Sequence, residues 1–172
     1  MATVNEVLAA NRAAVTALLA AGERSGPGWT VAPAPGKWSP SQIAEHIARS
    51  LDESANVVAG LPSKFPSIPA PFRPLVRAFL FNRVLKNNAF PKAKTSKPFN
   101  PASGPATVAE ARVRLEAALA RFDHECRARE AAGQRVASAT FGTISIEDYA
   151  KFQEVHTRHH SKQIAGAAEQ RV

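Results

Sequence analysis

The sequence predicts an all-α protein built as a four-helix bundle, and three observations carry that prediction. Four stretches repeat apolar residues at the 3.6-residue period of an amphipathic helix. Three of them open on a Ser or Thr with a potential capping partner three residues on. The only β-prone segment, VASATFGTIS at 136–145, is too short and isolated for a sheet.

The first helix is expected over about 2–21, where Val4, Val7, Leu8, Val15, Leu18 and Leu19 share one face and Gly22 reads as a stop. Residues 22–38 hold four Gly and three Pro and read as a loop. The second helix starts sharply at WSPSQI. Ser39 is the N-cap, Pro40 occupies the first position, where an N–H is dispensable, and Gln42 completes a capping box. Trp38 and Ile43 stand at the positions of a hydrophobic staple, and the helix runs to about Ala59 before Gly60 and Pro62. The third long helix starts at Thr107 with Glu110 as capping partner. Its inner stripe is Val108, Ala111, Leu115, Ala118, Leu119, Phe122 and Cys126, and Gly133 lies just past its end. The fourth starts at Ser145 with Asp148 as a weaker partner, has Ile144 and Tyr149 as staple positions, and runs to about Glu169.

Between the second and third helices lies an insert, 61–105, unlike the rest. It contains nine of the thirteen prolines and eight basic residues, with no Asp or Glu. Those eight equal the chain's net charge of +8, so the remainder is formally neutral. FRPLVRAFLFNRVLK, about 72–87, reads as a short basic amphipathic helix, and the following AFPKAKTSKPFNPASGP as an extended arm. The six Phe of the insert (65, 72, 79, 81, 90 and 99) are expected to pack it onto the bundle. Lys92, Lys94 and Lys97 are candidates for attracting an anionic small-molecule substrate. Contact of 72–87 with an anionic membrane surface, or a homodimer contact, are further readings of the same charge. No nucleic-acid motif accompanies it, so no nucleic-acid partner is expected.

The 172 residues are expected to form a single domain, 1–172. One cysteine, Cys126, excludes a disulfide within the chain and a cysteine-held zinc. The opening residues do not resemble a signal peptide and no apolar run is long enough to span a bilayer, so a cytoplasmic location is expected.

Candidate chemistry rests on five histidines, at 46, 124, 156, 159 and 160. At about 100° per residue from Tyr149, His156 lies at about −20° and His160 at about +20°, one turn apart on the inward face. His159, at about −80°, falls at the edge of that face. His46 shares the inner side of the second helix with Ile43, whereas His124 lies on the polar side of its helix.

GKWSPSQIAEHIARS and FGTISIEDYAKFQEVHTRHHSKQI together resemble the second-helix and last-helix motifs of the DinB/YfiT-like superfamily. The matching positions are Trp38, Ser39 and His46, then His156, His160, Gln163 and Ile164. The resemblance implies a DinB-like four-helix bundle with a metal site whose ligands are His46, His156 and His160; the basic insert departs from the smallest members. Three neutral imidazoles leave a coordination position open and leave the ion its full charge, which suits an activated water or a thiolate. Imidazole ligation suits zinc, nickel, iron or copper and does not choose among them; a divalent ion, zinc or nickel, is expected. Gln42, Gln153 and Gln163 are candidates for orienting the ligands. Glu53 and Asn11 are polar residues facing inward, each also explained by an ordinary ion pair or core hydrogen bond. Three functions follow: a metal-dependent hydrolase, a metal-dependent S-transferase using a low-molecular-weight thiol (an activity known in some members of the family resembled), and a non-catalytic metal-binding bundle.

Overall fold

A computed structural model gives the fold and describes residues 2–91 and 95–169, with side chains through 166. Five helices and one small hairpin follow in order: α1 (Val4–Arg24), α2 (Pro40–Ala59), α3, α4 (Val108–Ala131), β1 (Val136–Ser138), β2 (Gly142–Ile144) and α5 (Ile146–Glu169). Helix α3 is composite, with α-helical Arg73–Val76 and Asn82–Asn87 joined by a π-helical turn over Arg77–Phe81. The four long helices form the bundle: α1 packs along α5 and α4, and α2 along α4 and α5. Helices α2 and α5, which carry the candidate ligands, are therefore neighbours. The protein is all-α as the periodicity predicts.

The caps act locally as the sequence predicts, with one variation. Ser39 and Gln42 exchange both bonds of the capping box: the Gln42 N–H donates to Ser39 Oγ at 3.2 Å, and the Ser39 N–H to Gln42 Oε1 at 2.9 Å. The Thr107 hydroxyl oxygen caps the Glu110 N–H, but the Glu110 carboxylate reaches one residue further back, to the Ala106 N–H. Ser145 Oγ accepts from the Asp148 N–H. Gly60 closes α2 at φ 76°, in the left-handed region that favours glycine.

Three sequence expectations change. Gly22 does not stop α1, which continues to Arg24; it is buried against Trp29, and a Cβ there would lie 2.7 Å from Trp29 Cζ3. Its role is close packing. The segment 136–145 forms an antiparallel hairpin, pairing Val136 with Ile144 and Ser138 with Gly142, so a short strand finds its partner across its own turn. The insert packs only in part. Phe81 and Phe99 are buried and Phe65 and Phe90 half-buried, whereas Phe72 and Phe79 are 59% and 71% exposed. Phe81 sits between Phe141 of the hairpin turn and Phe152 of α5, with ring centroids at 5.1 and 5.0 Å.

The end of the insert is tied to the start of α2. Proline has no N–H, so a Pro-rich extended run offers carbonyls with few donors of its own. Side chains at and before the start of α2 supply the donors. Trp38 Nε1–H bonds Asn100 Oδ1, the Gln42 amide bonds the Pro101 and Ala102 carbonyls, and Ser41 O–H bonds the Pro105 carbonyl. Trp29 Nε1–H bonds that same Pro105 carbonyl. Gly104 passes so close that a Cβ would run into the Ser41 carbonyl.

Candidate metal centre

His46, in the second turn of α2, and His156 and His160, one turn apart on α5, converge across the helix interface. One ring nitrogen of each lies within 4.8 Å of the others. Ring centroids are 5.1 Å apart for His46 and His156, and 4.8 Å for each of the other two pairs. His46 Nε2 and His156 Nε2 are 3.2 Å apart. Nitrogens sharing a tetrahedral zinc with Zn–N bonds of about 2.0–2.1 Å stand about 3.3–3.5 Å from one another. The His46–His156 separation is already close to that spacing, and the third nitrogen lies within 4.8 Å of both.

The tautomers favour that use. A backbone carbonyl only accepts, so His46 Nδ1 donates to the Phe99 carbonyl at 2.8 Å and leaves Nε2 bare, facing the cluster. His160 Nδ1 donates to Gln163 Oε1 at 2.8 Å, leaving its Nε2 bare as well. The amide orientation follows from its other end, where Gln163 Nε2–H donates to His159 Nε2 at 3.0 Å. Outer partners of this kind fix ring orientation in metal sites. The bare His46 Nε2 lies 3.2 Å from His156 Nε2, a separation that either an Nε2–H of neutral His156 or a cation shared by the two nitrogens can bridge.

Electrostatics agree. Burial first, and the neighbouring imidazoles second, hold His156 well below the ordinary histidine range, and the same causes push His160 down to about 3. Burial lowers His46, while its bond to the Phe99 carbonyl opposes the shift. The rings are therefore neutral at neutral pH, the state in which imidazole binds metal.

A cavity of about 850 Å³ opens beside the triad. Trp38, Phe65, Phe90, Phe99, Phe141 and Phe152 line it, and no Asp or Glu does among the described residues. Trp38 lies 4.9 Å from the His46 ring and Phe90 4.9 Å from the His156 ring, centroid to centroid. Among the described residues, the cations of the lining are Lys37 and Lys162, both exposed. Buried Tyr149 and Gln153 also face the cavity.

Other sequence candidates lie elsewhere. The Gln42 amide is occupied by Ser39 and the insert carbonyls and does not reach the histidines. Gln153 lines the cavity and bonds no ligand ring among the described residues. Glu53 accepts from the Lys64 N–H and pairs with the Lys64 ammonium at 3.6 Å, an ordinary ion pair. The Asn11 amide donates to the Val7 and Ala150 carbonyls, an ordinary core bond. His124 is exposed on α4. Lys97 is exposed and outside the cavity lining, while Lys92 and Lys94 lie outside the described residues. Cys126 is buried in the core with its thiol pKa pushed up to about 12, so it offers no nucleophile. Sequence reasoning missed the Phe99 carbonyl, because a backbone acceptor carries no residue-type signal.

A helical bundle with a three-histidine cluster at the α2–α5 interface, spaced so that it could hold a divalent cation, is the class that fold and geometry define. The profile of the DinB superfamily matches residues 7–164, and the chain belongs to that superfamily. Comparison with curated proteins and with solved structures gives no match.

Proposed function

We propose that this DinB-superfamily protein is a metal-dependent hydrolase whose ion is held by His46, His156 and His160, and whose substrate is small, neutral and largely apolar. The observation that carries the reading is the convergence of three neutral imidazoles, each from a rigid helix, at the wall of one aromatic cavity. A divalent ion held there supplies a Lewis acid able to activate water near neutral pH. The chain's own residues do the rest. Phe99 O and Gln163 orient two of the rings, and the aromatic walls exclude bulk water and hold an apolar body. Tyr149 and Gln153, buried and in the lining, offer the substrate neutral polar groups. A cavity of about 850 Å³ suits a drug-sized molecule. Lys37 and Lys162 stand at exposed positions of the lining, and the apolar walls favour a neutral ligand body over an anion.

A second reading, an S-transferase using a low-molecular-weight thiol, is favoured by the lack of a carboxylate in the described lining. A thiol ionises far more readily than water and needs no such base. Metal analysis of protein purified without an affinity tag comes first, followed by neutral esters and lactones, then neutral electrophiles with a panel of thiols. One ion per chain with ester turnover supports the hydrolase, and turnover only with thiol supports the transferase. An ion with neither activity leaves a metal-binding bundle. Protein that purifies without metal and takes none up on titration overturns the proposal.

A further inference from the structure

Helix α3 has two unlike faces. Inward, Phe81 and Val84 are fully buried and Leu80 reaches the cavity wall. Outward, Leu75 is 57% exposed and Phe79 71%, the most exposed of the large hydrophobic side chains among the described residues, and Phe72, which immediately precedes the helix in a 3-10 turn, is 59% exposed. Their spacing, i, i+3 and i+7, puts them on one stripe. Single exposed apolar residues are ordinary, but three on one stripe of a short helix and the turn before it mark an interaction surface. Arg83 and Lys86 follow one and two turns beyond Phe79; both are exposed and neither has an ion-pair partner among the described residues. Arg73 and Arg77 bond backbone carbonyls, of Ile68 and Thr143, so their charge is not neutralised either. No Asp or Glu occurs anywhere in 61–105.

We propose that this face docks on an anionic lipid surface, with Phe72, Leu75 and Phe79 entering the headgroup–acyl boundary and Arg83 and Lys86 meeting acidic headgroups. An apolar stripe beside free cations is the pattern of helices that lie in a membrane interface. Charge argues against a second copy of the chain as occupant. Two such faces apposed would bring cations together with no carboxylate in either segment to neutralise them. Acidic lipid supplies the missing charge and the apolar depth at once. The proposal is independent of the metal reading, since neither Phe72, Leu75, Phe79, Arg83 nor Lys86 touches the histidines or lines the cavity.

The test is sedimentation of the full chain with phosphatidylcholine vesicles and with vesicles doped with phosphatidylglycerol. Binding is expected to the doped vesicles, weak or absent on the neutral ones, and falling as salt rises. Each cation near an acidic surface adds about fivefold, so Arg83→Gln with Lys86→Gln should weaken binding by roughly 30-fold. Phe72→Ser with Phe79→Ser should weaken it at least as far, and because both side chains are exposed the melting temperature should hold, which separates lost docking from lost folding. Equal affinity for neutral and doped vesicles, or binding unchanged by both double variants, overturns the proposal. So does a concentration-dependent dimer abolished by Phe79→Ser in a chain that ignores vesicles, which would make the face an interface between copies.

Discussion

Gln163 offers the sharpest test of how the triad is held. Its Oε1 accepts the His160 Nδ1–H at 2.8 Å and its Nε2–H donates to His159 at 3.0 Å. Gln163→Leu keeps similar bulk but removes the acceptor, so the His160 ring loses the bond that fixes its tautomer and rotation. Loss of an outer partner costs a metal site about 10–100-fold in affinity. Gln163 is exposed, so water can replace part of the bond, and the lower end applies: about tenfold, or about 1.4 kcal/mol. Gln163→Glu keeps an acceptor oxygen facing Nδ1 and should restore affinity although it gives up the donation to His159. The assay is zinc competition against a chromogenic chelator in untagged protein, with the melting temperature of the metal-free form as a control. Equal affinity in parent and Gln163→Leu would refute the claim that this amide orients His160.

Other outcomes follow from the same geometry. His46→Ala or His156→Ala should abolish stoichiometric metal, whereas His124→Ala should leave it; His159→Ala should keep the ion and cost less affinity than Gln163→Leu, all read by elemental analysis. Ser39→Ala removes the cap bond to Gln42 and should cost about 1 kcal/mol, a drop of about 2–4 °C in melting temperature for a chain of this size. Gly104→Ala should destabilise more than Ser39→Ala, because its Cβ meets the Ser41 backbone, and by loosening the run beside Phe99 it should also weaken metal binding; calorimetry and the chelator assay read the two effects. The metal-free protein should lose stability as pH falls below about 6.5. Above that value the histidines are neutral in both states; below it the unfolded chain takes up protons first, while burial keeps the folded rings neutral, His160 down to about 3. Thermal melts between pH 7 and about pH 4 should show that decline, and a flat profile would refute the assigned burial.

The bundle was legible because helical phase and caps are local signals. Ser39, Thr107 and Ser145 mark starts that the structure keeps, and the phase that sets His156 and His160 inward also sets Tyr149, Phe152 and Ile164 against core and cavity. What escaped was tertiary. Gly22 looks like a terminator in isolation, and only the ring of Trp29, seven residues later, shows that it makes room instead. The hairpin has three-residue strands, too short for period-two alternation to register. Phe72 and Phe79 share their residue type with Phe81 and Phe99, so composition could not separate outward from inward rings. Gln42 faces the right way for a ligand partner, but the nearer carbonyls of Pro101 and Ala102 claim it.

The Phe99 carbonyl sets a rule for how this site can change over generations. The acceptor for His46 is main chain, so any residue substituted at 99 still presents a carbonyl there. A one-residue insertion or deletion in the run that ends at Pro105 is another matter. It would slide every carbonyl past α2 and hand His46 the wrong neighbour, while also displacing Gly104 from Ser41. Drift in residue identity at position 99 is tolerable where drift in length is not, so the length of this run, together with the glycine at 104, is what descent should hold constant.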